Sequence, residues 1–143
     1  MSLSKTIEHD GFLITADPTR LDLDFIYGVL GNSYWAAGRS RESTERAVAN
    51  SLCFGIYEER SRRQVGLARV VTDYETFAWL CDVVLDPSYR GRGLGKRMLE
   101  VVFSDPRLQP VRRWLLATLD ALGLYNRYGF TPMARPERWM ERV

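Results

Sequence analysis

The segment Asp82-Val83-Val84-Leu85-Asp86-Pro87-Ser88-Tyr89-Arg90-Gly91-Arg92-Gly93-Leu94-Gly95-Lys96 holds the residue types best able to do chemistry. It passes from an apolar run through a glycine-rich turn into a helical pattern. Glycines let the backbone approach a ligand closely, and the first turn of a helix presents N–H groups without partners inside the helix. With the helix dipole, these groups favour an anion, most naturally a phosphate. Arg90, Arg92 and Lys96 add positive charge at the same point. Two familiar phosphate loops fail on spacing. A Walker loop needs Gly where Arg90 stands and Ser or Thr where Arg97 stands. A dinucleotide fingerprint needs Gly at position 96, which is Lys. The plain alternative is a glycine-rich turn with a solvated basic face.

A third pattern fits better. Arg90-x-x-Gly93-x-Gly95, after a strand ending Leu85-Asp86-Pro87, resembles the acetyl-coenzyme A motif of the GNAT N-acetyltransferases. Downstream, Leu124-Tyr125-Asn126-Arg127-Tyr128-Gly129-Phe130 resembles that family's second signature, a Tyr followed four residues later by Gly-Phe. The resemblance implies an α/β fold with a mixed, mostly antiparallel sheet of six to seven strands and about four helices. It places the splay between the fourth and fifth strands, with acetyl-CoA lying in the gap. Val84 and Leu85 would then offer backbone groups to the pantetheine and the thioester carbonyl, with Val83 beside them. Arg90, Gly91, Arg92, Gly93, Leu94, Gly95 and Lys96 would wrap the pyrophosphate. The family often carries Asn a few residues before the signature Tyr; Thr118 stands there in this chain as the corresponding cofactor-binding candidate.

Acetyl transfer to an amine makes three demands. An alkylamine has a pKa near that of Lys, about 10, so a carboxylate or water must take its proton. The tetrahedral intermediate needs donors for its oxyanion, and the departing thiolate benefits from an acid. The resemblance makes Tyr125, which also counts among the cofactor-binding residues, the candidate acid: a phenol near 10 stays protonated and can donate to a thiolate of about 8.5. The plainer reading is a tyrosine that closes a sheet–helix seam. Asp82 falls where many family members carry a Glu proposed as base. Period two places it on one strand face with Val84 and Asp86, opposite Cys81 and Val83. An Asp in an apolar run must find a partner, so an Arg-paired structural acid is the alternative. Asp73 is a second acid, read here as substrate-binding. Tyr34 and Trp35, with Arg39 and Arg41 nearby, sit where the family builds part of its acceptor pocket. The aromatic pair suits a flat or cationic acceptor and the arginines a carboxylate; packing of helices onto the sheet is the alternative. His9 reads as a surface residue, and no metal site is visible.

Alternating elements must hold these residues. Gly11–Thr15 reads as a first strand, Leu21–Leu30 as a helix, Gly31–Gly38 as a loop exposing two aromatics, and Ser40 as the cap of a second helix running to about Asn50. Leu52–Tyr57, Gln64–Thr72 and Phe77–Leu85 read as an antiparallel meander. Leu94, Met98, Val101 and Val102 share one face of a third helix. Trp114–Thr118 reads as a buried strand and Asp120 as the cap of a helix ended by Gly129. Phe130 and Trp139-Met140 leave room for one or two final strands.

The chain has 143 residues, a formal charge of +2 and 45% hydrophobic residues, which fits one domain over 1–143 with a real core. That balance argues against a nucleic-acid binder, and no apolar run approaches the roughly 20 residues of a membrane helix. Cys53 and Cys81 match no metal or redox spacing and read as core residues. No basic segment followed by an apolar one opens the chain, so the cytoplasm is the expected compartment. The expected activity is acetyl-CoA-dependent N-acetylation of a small-molecule or peptide amine by direct transfer. The alternative is a non-catalytic acyl-CoA-sensing module on the same scaffold. Related proteins are often dimers, which makes a homodimer the assembly to consider.

Overall fold

The computed structural model describes residues 6–143; residues 1–5, and with them the start of the segment read as lacking a leader, lie outside the described residues. The elements run β1 (Thr6–His9), β2 (Phe12–Thr15), α1 (Leu23–Gly31), α2 (Arg41–Ala49), β3 (Leu52–Glu58), β4 (Gln64–Thr72), β5 (Ala78–Leu85), α3 (Leu94–Ser104), β6 (Trp114–Leu115) and α4 (Leu122–Asn126). They form a six-stranded sheet in sequential order, antiparallel throughout except for the parallel β5–β6 pair. This is the mixed, mostly antiparallel α/β sheet with four helices that the resemblance implied.

Period-two alternation distributes the strand residues between two cores. Phe54, Ile56, Ala68, Val70 and Leu80 face α3, whose Leu94, Met98, Leu99 and Val102 are buried against them. Cys53, Leu67 and Val84 face the other way, onto Ile26 and Leu30 of α1 and Val48 of α2. Burying a side chain such as Met98 or Leu30 contributes roughly 1.5–3 kcal/mol. Asp22 and Ser40 cap α1 and α2 by accepting the N–H groups of Phe25 and Ser43.

Four expectations need correction. The chain starts its sheet one strand earlier, with β1 joined to β2 through Asp10-Gly11. The fifth-strand expectation, Trp114–Thr118, shrinks to Trp114–Leu115, because β6 pairs with β5 only at Ala78 and Trp79 and then leaves it. Asp120 does not cap α4; Thr118 Oγ1 accepts the Ala121 N–H at 3.0 Å. Beyond Phe130, the described residues contain no strand and only a short turn at Pro136–Arg138. Counting the extra first strand, the expected splay between the fourth and fifth strands falls between β5 and β6.

The second signature acquires a physical meaning. Gly129 has φ +91°, its N–H donates to Asn126 O at 3.1 Å, and the Phe130 N–H donates to Tyr125 O at 3.2 Å. These are the two hydrogen bonds of a Schellman C-cap. Its accompanying apolar contact is the edge-to-face pair of Tyr125 and Phe130, with centroids 6.0 Å apart. The spacing of Tyr, Gly and Phe thus fixes how Tyr125 leaves α4.

Candidate functional site

Two structures meet around the end of β5. The first is the turn into α3. Asp86 Oδ1 accepts the Ser88 N–H, winding Pro87–Tyr89 into one tight turn, after which Arg90 is extended. Gly91 and Gly93 then adopt φ +79° and +76°, left-handed conformations that cost an L-residue about 1–2 kcal/mol. Gly93 precedes the first residue of α3, and no side chain caps that helix. The N–H groups of its first turn are therefore available to a ligand. Arg90, Arg92 and Lys96 are exposed and make no ion pair among the described residues. The Arg92 guanidinium stacks over the Tyr89 ring at 4.9 Å. Unpaired N–H groups, a helix dipole and three cations free of ion pairs among the described residues form a donor set that fits a pyrophosphate.

The second is a bulge in β5. Arg69 pairs with Cys81 and Leu67 with Val84, so Ala68 alone faces Asp82 and Val83. Asp82 carries the extra residue at φ +50°, where a glycine is usual in this kind of bulge. The extra residue switches faces: Ala78 and Leu80 point to α3 before it, Val83 and Leu85 after it. The expectation that Asp82 lies opposite Cys81 assumed uninterrupted alternation and fails for this reason. Beyond Trp79 the outer edge of β5 has no strand partner among the described residues, which leaves backbone groups along Leu80–Leu85 open to a ligand.

A cavity of about 570 Å³ opens beside this bulge, lined by Tyr34, Trp35 and Arg39 from the α1–α2 loop, Arg69 from β4, Trp79–Val83 from β5, Leu116–Ala121 from the β6–α4 connection and Tyr125 from α4. It brings together Tyr34, Trp35, Asp82, Val83, Thr118 and Tyr125. Val84 and Leu85 continue β5 past it toward the Arg90–Lys96 turn, which lies outside the cavity wall. Asp73 is absent from it. Its carboxylate folds back onto its own loop, accepting the N–H groups of Glu75, Thr76 and Phe77 and the Thr76 hydroxyl. These bonds hold its pKa far below the usual carboxylate value, and they commit the carboxylate expected at the substrate to its own turn, away from the cavity that gathers the other candidates.

Asp82 is buried and fully engaged. Trp35 Nε1 donates to its Oδ1 at 2.8 Å, Arg39 Nη1 to Oδ2 at 2.8 Å and Arg69 Nε to Oδ2 at 2.7 Å. Burial alone would raise its pKa; the hydrogen bonds from Arg39, Arg69 and Trp35 and the charge of Arg69 outweigh that and leave it lowered. A carboxylate so held is a weak proton acceptor, and its geometry is that of the Arg-paired structural acid. Arg69 went unnoticed in the sequence. Its signal was there: a lone cation in the apolar run of β4, matched by a lone acid in the apolar run of β5.

Tyr125 differs. Its hydroxyl has no hydrogen-bond partner among the described residues, and burial, then the neighbouring Tyr34, push its pKa upward. It therefore stays a protonated donor at neutral pH. Cys81 lines the same cavity, but burial pushes its thiol up to about 11; Cys53 is buried and raised to about 12. Neither carries thiolate at neutral pH, which disfavours a covalent cysteine intermediate. No helix among the described residues is long and apolar enough to cross a membrane.

Similarity to known proteins agrees with this geometry. The acetyltransferase (GNAT) domain family matches residues 49–132. The chain is similar to a fungal protein from Gibberella zeae classed with the acetyltransferases, 31% identical over 135 residues, covering 81% of this chain and 76% of the relative. A crystal structure from Xanthomonas campestris pv. campestris, of a protein assigned to the GNAT family, is 43% identical, with a TM-score of 0.89 over 96% of this chain and 94% of that one. A GNAT acetyltransferase from Elizabethkingia anophelis with acetyl-CoA bound shares the fold at 15% identity, TM-score 0.66, over 94% of this chain and 89% of that one. With 59% of its length inside the domain match, shown by residues 49–132 of 143, this chain belongs to the GNAT acetyltransferase family.

Proposed function

We propose that residues 1–143 form one acetyltransferase domain that moves an acetyl group from acetyl-CoA directly to a primary amine of a small molecule or peptide. The observation that carries this reading is positional. The uncapped N-terminus of α3 and its three unpaired cations stand just beyond a strand whose outer edge β6 leaves open, next to a cavity holding a free phenol.

Acetyl-CoA supplies the reactive thioester. Arg90, Arg92, Lys96 and the first N–H groups of α3 hold its pyrophosphate. Backbone groups of Val83, Val84 and Leu85 lie where they can align the pantetheine and stabilise charge developing on the carbonyl oxygen. Tyr34 and Trp35 orient the amine. Tyr125, protonated and without another partner, donates a proton to the departing thiolate. Water takes the proton of the amine, and Asp82 positions Trp35 and Arg39 rather than accepting that proton. Thr118, committed to the Ala121 N–H, shapes the start of α4. The free phenol favours catalysis over a sensing role, which needs no acid. Two free thiols suit a reducing compartment such as the cytoplasm.

Calorimetry and kinetics test this reading. Acetyl-CoA should bind, Gly93→Glu and Arg90→Ala should weaken that binding in folded protein, and thiol release should require an amine. Unchanged affinity in both variants would remove the pyrophosphate assignment.

A further inference from the structure

The acceptor cavity carries more positive than negative charge on its inner wall. Asp82 supplies one carboxylate there, while Arg39 and Arg69 supply two guanidiniums, with side chains 23% and 13% exposed. A guanidinium has five N–H donors. Arg39 uses Nη1 and, more weakly at 3.4 Å, Nη2 on Asp82; Arg69 uses Nε on Asp82 and Nη1 on Ser51. The remaining donors of both residues have no partner among the described residues. The two guanidiniums share the single Asp82 carboxylate, an incomplete balance that is costly for largely buried charge, and both line the wall of an open cavity. Asp120, exposed on the β6–α4 wall, is the other carboxylate lining it. The rest of the lining is largely apolar: Tyr34 and Trp35 packed edge to face at 5.0 Å, Trp79, Leu80, Leu116 and Tyr125.

We infer that the acceptor is an amino-acid-like molecule, a primary amine that also carries a carboxylate on an apolar or aromatic body, and that Arg39 and Arg69 read the carboxylate. This rests on the acetyltransferase reading and narrows it. The guanidinium fork matches a carboxylate's two oxygens, and a monoanion neutralises the one charge by which Arg39 and Arg69 exceed Asp82 on that wall, whereas a phosphate dianion would leave an excess negative charge there. The aromatic wall covers the body of the molecule. The opposite charge of Asp120 draws the ammonium end toward the wall that holds Tyr125. Asp82 is a positioning residue in this arrangement, since it aims both guanidiniums and ties the loop carrying Trp35 to β5.

Matched acceptors test the inference. Phenylalanine is compared with phenethylamine, and O-phosphoethanolamine with β-alanine, each with acetyl-CoA and thiol release as readout. The amino acids should show a KM roughly 10- to 100-fold below that of the matched amine or phosphate, the usual worth of a charge-assisted contact. Arg39→Gln should collapse that ratio while the KM for acetyl-CoA stays put, and Arg39→Lys should restore part of it. Equal KM values, a preference for the phosphate, or an unchanged ratio in folded Arg39→Gln would overturn the inference. If amines without a carboxylate are acetylated equally well, the acetyltransferase reading stands and only the substrate class falls. If no amine is acetylated, that reading falls, and calorimetry with N-acetylphenylalanine against N-acetylphenethylamine decides the carboxylate assignment alone. Preferential binding of the acid supports it, and equal binding or none overturns it.

Discussion

The turn at Arg90–Lys96 and the cavity at Asp82 do related work by different means. The turn is made of backbone: two left-handed glycines and an uncapped helix deliver N–H groups, and its charged side chains stay in solvent. The cavity is made of side chains brought from far apart in the sequence. Asp82, itself buried, binds Arg39 43 residues away, Trp35 47 away and Arg69 13 away. A backbone site loses affinity when a glycine or a flanking cation is replaced, yet keeps its fold because those side chains stand in solvent. A side-chain site fails when one member of its network is removed, because the others are left charged and buried.

Variants can break this contrast. The largest effect belongs to the cavity's chemistry: Tyr125→Phe should keep the fold and acetyl-CoA affinity but lower kcat roughly 10²–10⁴-fold. It should also erase the alkaline limb of the rate profile, which lies above pH 10 because the folded phenol's pKa is raised. Near-normal turnover, with chemistry rate-limiting, would return Tyr125 to a packing role.

Next comes the network. Asp82→Ala should destabilise the fold by about 3–5 kcal/mol, the cost of stranding buried partners, as read by urea denaturation. The pH dependence has a definite sign. Asp82 has a lower pKa folded than unfolded, so its contribution is complete above the unfolded value of about 3.9 and disappears as pH falls through the folded value. The variant should therefore lose part of the wild type's drop in stability toward acid pH. A full-size acid drop in Asp82→Ala would mean that other carboxyls govern it.

Gly93→Glu should weaken acetyl-CoA binding roughly 10- to 100-fold through like-charge repulsion at the helix start, while its left-handed strain of about 1–2 kcal/mol lowers Tm by only a few degrees. A loss of folding as large as that of Asp82→Ala would erase the distinction between the two regions. The smallest effect is expected at Asp73, where Ala should lower Tm slightly by releasing the β4–β5 turn and leave both KM values unchanged. A raised acceptor KM would bring Asp73 back to the substrate.

The same contrast explains what could be read in advance. The glycine turn, the meander β3–β5 and the amphipathic α3 are local patterns, and the structure follows them closely. The capping of α2 by Ser40 was legible for the same reason. The bulge was not: nothing local marks Asp82 as the extra residue, and one inserted position reverses every later side chain of β5. The first strand is hard to read because Thr6–His9 is half exposed and weakly patterned, although Asp10-Gly11 is a hairpin signal. The shortness of β6 depends on where the chain leaves its neighbour, which is a tertiary matter. Arg39 and Arg69 acquire their meaning only when folding brings both to one carboxylate.

The central claim is tested most directly by following acetyl-CoA and a pool of amines and amino acids with the purified protein, measuring thiol release and N-acetylated product together. The account predicts thiol release that depends on an acceptor, matches amide product one for one, and falls sharply in Tyr125→Phe. Acetyl-CoA binding with no amide formed, or thiol release indifferent to the presence of amine, would contradict it.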